Sequence, residues 1–421
     1  MSAKLKREVG NWVSGDKFWG REAELQSFIE QLDEGANILL TAPRRTGKTS
    51  LMREVARLLA DRGRDLAIYV DLERSHTPED AIVELSLATR PHRSAWDKVR
   101  AAFHDLLVSI DELKLDVLTL KLRDAVAGDW SSKGDRILAA LAELPQPVTL
   151  FLDEFPILIN RLLKDGDFNI TPEGRARVDA FVSWIRAATL KHRDRLRVVL
   201  SGSIGLEPVL RQAGLSATIN TFRAFELDPW DPPTARGCLL ALAENYDLDL
   251  PPGSADHMLA LLGLAIPHHV QMFFTHVYED AKKRWAREPQ ARNAVTLADV
   301  ERVYRSRMLG PRGHAELSHF EERLRSVLGP RMQPLAIELL TEAAHGHLSS
   351  DAAIVLVEDY LPAADPIRER TPFLREVLAI LEHDGYLHSA GTSYIFSSKL
   401  IGDWWKARFG FGFVPAAQRR P

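Results

Sequence analysis

The sequence predicts an α/β fold with a doubly wound parallel sheet, followed by an all-helical region and a C-terminal module of three helices and a small hairpin. Three observations carry this. Short apolar runs bounded by polar or glycine residues recur at Asn37 to Ala42, Leu66 to Asp71, Val148 to Asp153, Leu196 to Ser201 and Phe222 to Leu227. Longer helical patterns lie between them. Proline-rich breaks at Asp228-Pro229-Trp230-Asp231-Pro232-Pro233 and Gly310-Pro311-Arg312-Gly313 then end the alternation. Runs this short, and apolar on both faces, suit strands of a parallel sheet covered by helices on either side.

Each helical pattern has its own periodicity. Thr49 to Arg62 repeats apolar residues at Leu51, Val55, Leu58 and Leu59, and Arg177 to Lys191 does so at Val178, Phe181, Val182 and Ile185. Strands alternating with such helices imply right-handed crossovers. The stretch of about 72–147 is an insertion, mostly helical in pattern. Within it Leu113 to Leu122 alternates almost perfectly and reads as an exposed hairpin or edge strand. Thr234 opens the all-helical region, which runs to about Leu309. Helices are then expected at Pro334 to Ala344, Ser350 to Tyr360 and Pro372 to His383, with a hairpin from Asp384-Gly385-Tyr386-Leu387 and Thr392 to Phe396. That order is the winged-helix arrangement, and the domains read as 1–229, 230–310 and 311–421.

A chain of 421 residues is long enough for two to three domains at roughly 150 residues each. Its 45% hydrophobic and 27% charged residues exclude a disordered chain. The net charge of −4 gives no global attraction to nucleic acid or anionic lipid. Cys238 is the only cysteine, which excludes an intramolecular disulfide and any multi-cysteine metal site, and its expected role is a small buried residue on a helix. The basic stretch Met1 to Val9 is followed by no apolar segment, and nowhere do 18 apolar residues run together. The expectation is a soluble cytoplasmic protein with no membrane contact.

The chemistry concentrates at strand ends. Ala42-Pro43-Arg44-Arg45-Thr46-Gly47-Lys48-Thr49 follows a strand and opens a helix, the context in which main-chain N–H groups converge on phosphates. Lys48 would reach the β/γ-phosphates and Thr49 would place its hydroxyl on Mg²⁺. Ala42 stands where the motif usually has glycine, which is tolerable if its φ stays negative. The run Val148 to Glu154 ends in adjacent carboxylates, a costly arrangement that a bound Mg²⁺ would offset. Asp153 would hold the metal shell and Glu154 would polarise the attacking water. Ser203, with Ser201 behind it, would sense the γ-phosphate, although a plain turn explains Ser201-Gly202-Ser203 nearly as well. ATP or ADP with Mg²⁺ is the expected cofactor set.

Together, Phe18-Trp19-Gly20-Arg21-Glu22-Ala23-Glu24-Leu25, the loop Pro43 to Leu51 with Ser50, Leu152-Asp153-Glu154-Phe155 and Ser201-Gly202-Ser203-Ile204 resemble the archaeal-type ATPases. These are P-loop NTPases of the STAND group, close to the AAA+ and origin-recognition ATPases. The resemblance covers most of the chain and implies an ATP-driven switch with a helical lid and a C-terminal winged helix. It implies that Gly20 and Arg21 line the adenine side, with nucleotide between core and lid. Ala265-Ile266-Pro267-His268 takes the place of the lid's Gly-x-Pro segment, with Ala265 in the glycine position. No arginine follows in the first turn after Pro267. His268 is the candidate substitute for it, while the favoured reading of His268 and His269 is as polar residues at a helix start. Arg193 and Arg195 lie where AAA+ proteins tend to carry a subunit-bridging arginine finger, and also read as solvated turn residues. Arg44 and Arg45 add positive potential beside the phosphates.

From Pro330 onward nine Lys and Arg face eleven Asp and Glu, a net of −2, and the segment Pro372 to His383 mixes Arg375 with Glu376 and Glu382. Phosphate neutralisation needs a basic face. Protein interaction or self-association through the ATPase core is therefore favoured over DNA binding, and Trp404 and Trp405 read as a packing anchor. A DNA-binding initiator or loader is the competing reading.

Overall fold

A computed structural model describes residues 5–10, 12–102, 115–287 and 295–419 of the chain. The chain divides into two compact units. One is Glu22–Ala42 with Lys48–Leu227; the other is Met1–Arg21, Pro43–Gly47 and Asp228–Pro421.

The first unit is a helix-covered sheet. Its strands are β1 (Asn37–Thr41), β2 (Leu66–Asp71), β3 (Val148–Asp153), β4 (Leu196–Ser201) and β5 (Phe222–Glu226), all parallel in the order β2-β3-β4-β1-β5. Every residue of β3 is buried, as the uninterrupted run Val148 to Leu152 requires. Edge strand β5 keeps only Phe225 buried. The helices are α1 (Glu22–Asp33), α2 (Lys48–Asp61), α3 (Pro78–Ala88), α4 (Arg93–Ala102), α5 (Leu115–Val126), α6 (Trp130–Ala142), α7 (Phe155–Leu163), α8 (Pro172–Lys191) and α9 (Leu206–Ala213). Their starts follow local chemistry. Thr77 and Asp80 form a reciprocal capping box at α3, and Thr171 accepts the Gly174 amide at α8, each ahead of a proline in the first turn.

The alternation at Leu113 to Leu122 does not form a strand. Leu115 to Leu122 lies in α5, and residues 113 and 114 fall outside the described residues. The buried set is Leu118, Leu122, Ala125 and Val126, a helical stripe, whereas Leu120 and Val117 face solvent. Leu118 and Leu122, four apart, belong to both patterns, and burial of the whole stripe selects the helix.

The second unit is helical around a small sheet. It comprises α10 (Pro232–Asn245), α11 (Ser254–Leu262), α12 (Pro267–Trp285), α13 (Leu297–Val303), α14 (Pro311–Ala344), α15 (Ser350–Tyr360), α16 (Thr371–His383) and α17 (Lys399–Phe409). Asp231 caps α10 through the Thr234 amide. A break interrupts α14 at Gly329, at φ 69° and ψ −179°, immediately before Pro330. Strands β6 (Leu348–Ser349), β7 (Leu387–Ala390) and β8 (Ser393–Phe396) pair antiparallel in the order β6-β8-β7. Trp404 and Trp405 are fully buried, so they anchor packing, and Cys238 is buried with its thiol pushed up to about 12 by desolvation. Among the described residues no helix is long and apolar enough to cross a membrane.

Candidate functional site

The carboxyl ends of β1, β3 and β4 bring Thr41, Asp153 and Ser201 to one edge of the sheet, where open α/β folds bind ligands. Asp153 is buried and takes four donors. Its Oδ2 accepts from Thr49 Oγ1 at 3.1 Å and from the Tyr69 hydroxyl. Its Oδ1 accepts from Ser201 Oγ at 3.1 Å and from the Glu154 amide at 3.0 Å. Such a set offsets the desolvation of a buried charge. Burial and the adjacent Asp153 charge push the Tyr69 hydroxyl's pKa up, so it stays a donor.

Glu154 follows at φ 56°, a left-handed conformation that costs a non-glycine residue about 1–3 kcal/mol and clusters at functional sites. That bend is held by Ser203, whose amide and hydroxyl both donate to Glu154 Oε2. The approach depends on Gly202, since a Cβ there would lie 2.4 Å from Pro156 Cδ. Lys48, also buried, donates to the Ala42 carbonyl at 2.9 Å. Thr49 and Ser50 lie in the first turn of α2, which contains no acidic residue of its own, and the Asp153 carboxylate meets this helix end through Thr49. Ala42 is not among the residues with positive φ, whereas Arg45 (68°) and Gly47 (97°) take the left-handed turns.

Arg193 is exposed beside Asp194, at 3.8 Å, and Arg195 spends its guanidinium on the Ala142 and Leu144 carbonyls. Arg195 is thus tied into the fold. Arg193 is presented to solvent.

Within the second unit the loop residues Pro43–Gly47 are tied down on several sides. Thr46 Oγ1 donates to the Pro43 carbonyl at 2.7 Å, and Arg21, itself buried, donates to the carbonyls of Thr46 (3.3 Å) and Asp228 (2.6 Å). Gly20, at φ 60°, permits close contact, because a Cβ there would lie 2.3 Å from Thr234 Cγ2. Pro43 meets Gly385, where an added Cβ would sit 3.2 Å from the proline Cβ. Burial lowers the Arg45 pKa, and the Glu316 charge pulls it back up.

Pro267 opens α12 with His268 and His269 in its first turn, and both imidazoles are largely withdrawn from solvent. His269 is fully buried, with its pKa lowered to about 3 by desolvation and the Arg45 charge. His268 is lowered for the same reasons and lies 4.0 Å from Glu316, beyond hydrogen-bond reach. His319 Nδ1–H donates to the Glu316 carbonyl at 2.7 Å, and burial, with Arg44 and Arg45 nearby, lowers its pKa to about 2. Three imidazoles, kept neutral chiefly by burial, thus lie within electrostatic reach of Arg45, and His319 of Arg44 as well. No sequence motif pointed to His319, Glu316, Gly385 or Tyr69. Tyr69 lies inside the apolar run Leu66 to Asp71 and Gly385 at the opening of the hairpin, whereas Glu316 and His319 stand in a polar stretch with no distinguishing pattern.

No family model matches the chain, and no curated protein does. Among solved structures, the Walker-type ATPase Paby2304 of Pyrococcus abyssi is similar at a TM-score of 0.61 and 19% identity, covering 95% of this chain and 99% of that one. The Aeropyrum pernix ORC2 protein, solved as ADPNP-ADP complexes, is similar at a TM-score of 0.51 and 14% identity, covering 93% of this chain and 95% of that one. The fold is that of the P-loop ATPases.

Proposed function

We propose that the chain is an ATP-binding and ATP-hydrolysing switch of the STAND/AAA+ type, whose nucleotide state repositions a C-terminal winged-helix domain. The observation that carries the reading is the double engagement of one loop. Pro43–Gly47 holds the phosphate-loop sequence, and the same residues pack on Gly385 and face Glu316 in the C-terminal region. A change in the loop is therefore felt directly by α14 and by the turn after α16. The division into a core to 229, a lid over 230–310 and a C-terminal domain over 311–421 belongs to the same reading.

The loop amides and the start of α2 receive the phosphates, and Lys48 exchanges the Ala42 carbonyl for phosphate oxygens. Thr49 and Asp153 offer only oxygen donors, the set a small hard cation takes, so they would hold Mg²⁺, which neutralises phosphate charge when bound. Glu154 orients the attacking water, with Ser203 holding one of its oxygens. Gly20 and Arg21 serve the nucleotide's adenine side, Pro267 and His268 its lid side. In an assembly through the ATPase core, Arg193 is the residue that reaches a neighbouring site. A buried lone cysteine fits a reducing, cytoplasmic setting. The C-terminal charge of −2 favours a protein partner over DNA, and Arg375 shares α16 with Glu376 and Glu382.

Titration of the full-length protein with ATP, alongside phosphate release, tests the reading. Wild type is expected to bind and hydrolyse ATP, and Lys48→Ala to do neither; equal ATP affinity in the two proteins would reject the loop as the site.

A further inference from the structure

Tyr69 has no place in the sequence motifs, yet its hydroxyl reaches the carboxylate at the end of the neighbouring strand. We propose that Tyr69 is a positioning residue for Asp153, fixing the carboxylate for a divalent cation through a ring clamped by Arg53. This rests on the ATP·Mg²⁺ reading and adds to it a residue that acts through Asp153.

Two protons converge on one carboxylate oxygen. Asp153 Oδ2 accepts from Thr49 and Tyr69, whereas Oδ1 is held by Ser201 and the Glu154 amide. A hydroxyl carries one proton and two lone pairs, so Thr49 keeps its proton for Oδ2 while offering a lone pair to a cation, and its position then follows the metal. Tyr69 is the donor to Oδ2 that is anchored outside the cation's ligand set, on the neighbouring strand. The ring is fixed in turn, because the Arg53 guanidinium carbon lies 3.6 Å from its centroid, the geometry of a cation–π contact. Arg53 stands four residues after Thr49 on α2, so one helix face supplies both the hydroxyl and the clamp. Removing a group that orients a metal-binding side chain typically weakens the metal 10- to 100-fold.

The test is equilibrium binding of a fluorescent ATP analogue to the full-length protein, titrated with Mg²⁺ and repeated in EDTA. For Tyr69→Phe the Mg²⁺ midpoint is expected to rise about 10-fold, with the shift confined to the Mg²⁺ titration and absent in EDTA. Arg53→Gln, which frees the ring, should move the midpoint in the same direction by less, and it decides the matter if the phenylalanine variant does not fold. A purely packing role for Tyr69 would lower stability and leave the midpoint where it is. Wild-type binding that depends on Mg²⁺, with the variants' midpoints unchanged, overturns the assignment of Tyr69 alone. A wild type with no Mg²⁺-dependent binding overturns the ATP reading and the assignment with it.

Discussion

Ser203 donates both its amide and its hydroxyl proton to Glu154 Oε2, at 2.8 and 2.7 Å. One carboxylate oxygen is thereby fixed against the end of β4, while the strained backbone at Glu154 sets the direction of the side chain. A carboxylate held this way is preorganised for a task that its neighbour Asp153, surrounded by four donors, does not share.

Glu154→Gln keeps the shape and removes the charge. ATP affinity should stay close to wild type while hydrolysis falls about 10²-fold or more, the scale of general-base contributions. Parallel binding and steady-state assays check this. Hydrolysis at the wild-type rate would move the role to another group.

Gly385→Ala should destabilise the protein by about 1–2 kcal/mol, the cost of placing a side chain in the left-handed region. Its φ is 78°, and the new Cβ would press on Pro43 at 3.2 Å. Denaturant melts measure the loss. A neutral result would mean that the turn and Pro43 relax apart without cost.

Lowering the pH should weaken the fold through His269. Its folded-state pKa, about 3, lies below its ordinary value of 6.5, so between those values the unfolded chain binds the extra proton. Stability from this residue is complete above pH 6.5 and falls by about 1.4 kcal/mol for each unit below it. Burial and the Arg45 charge disfavour that proton, the imidazoles of His268 and His319 lie near it, and Glu316 is an acid that acts on Arg45 beside them. Denaturation at pH 5.5 and 7.5 should show wild type losing more stability than His269→Gln. Equal losses would remove His269 from the account.

The sheet was legible because its central strands β1, β3 and β4 are short, largely apolar runs, and the phosphate loop, the two carboxylates and Ser201-Gly202-Ser203 sit at their carboxyl ends. Leu113 to Leu122 misled because apolar residues four apart satisfy both a strand and a helix. The supporting shell was hidden for a different reason. Tyr69 and Asp153 are 84 residues apart, and Pro43 and Gly385 meet only through the fold. His269 reads from sequence only as a polar residue at a helix start, and its burial beside Phe320 comes from tertiary packing.

In the proposed switch the phosphate loop and the C-terminal region move as one mechanism. Hydrogen exchange of the full-length Glu154→Gln protein, compared without nucleotide, with ADP and with ATP·Mg²⁺, tests it directly. Exchange at Glu316–Phe320 and Asp384–Leu387 should differ between the ADP and ATP states, because those segments face Arg45 and Pro43. Saturated ATP binding with the same protection of both segments in all three states would contradict it.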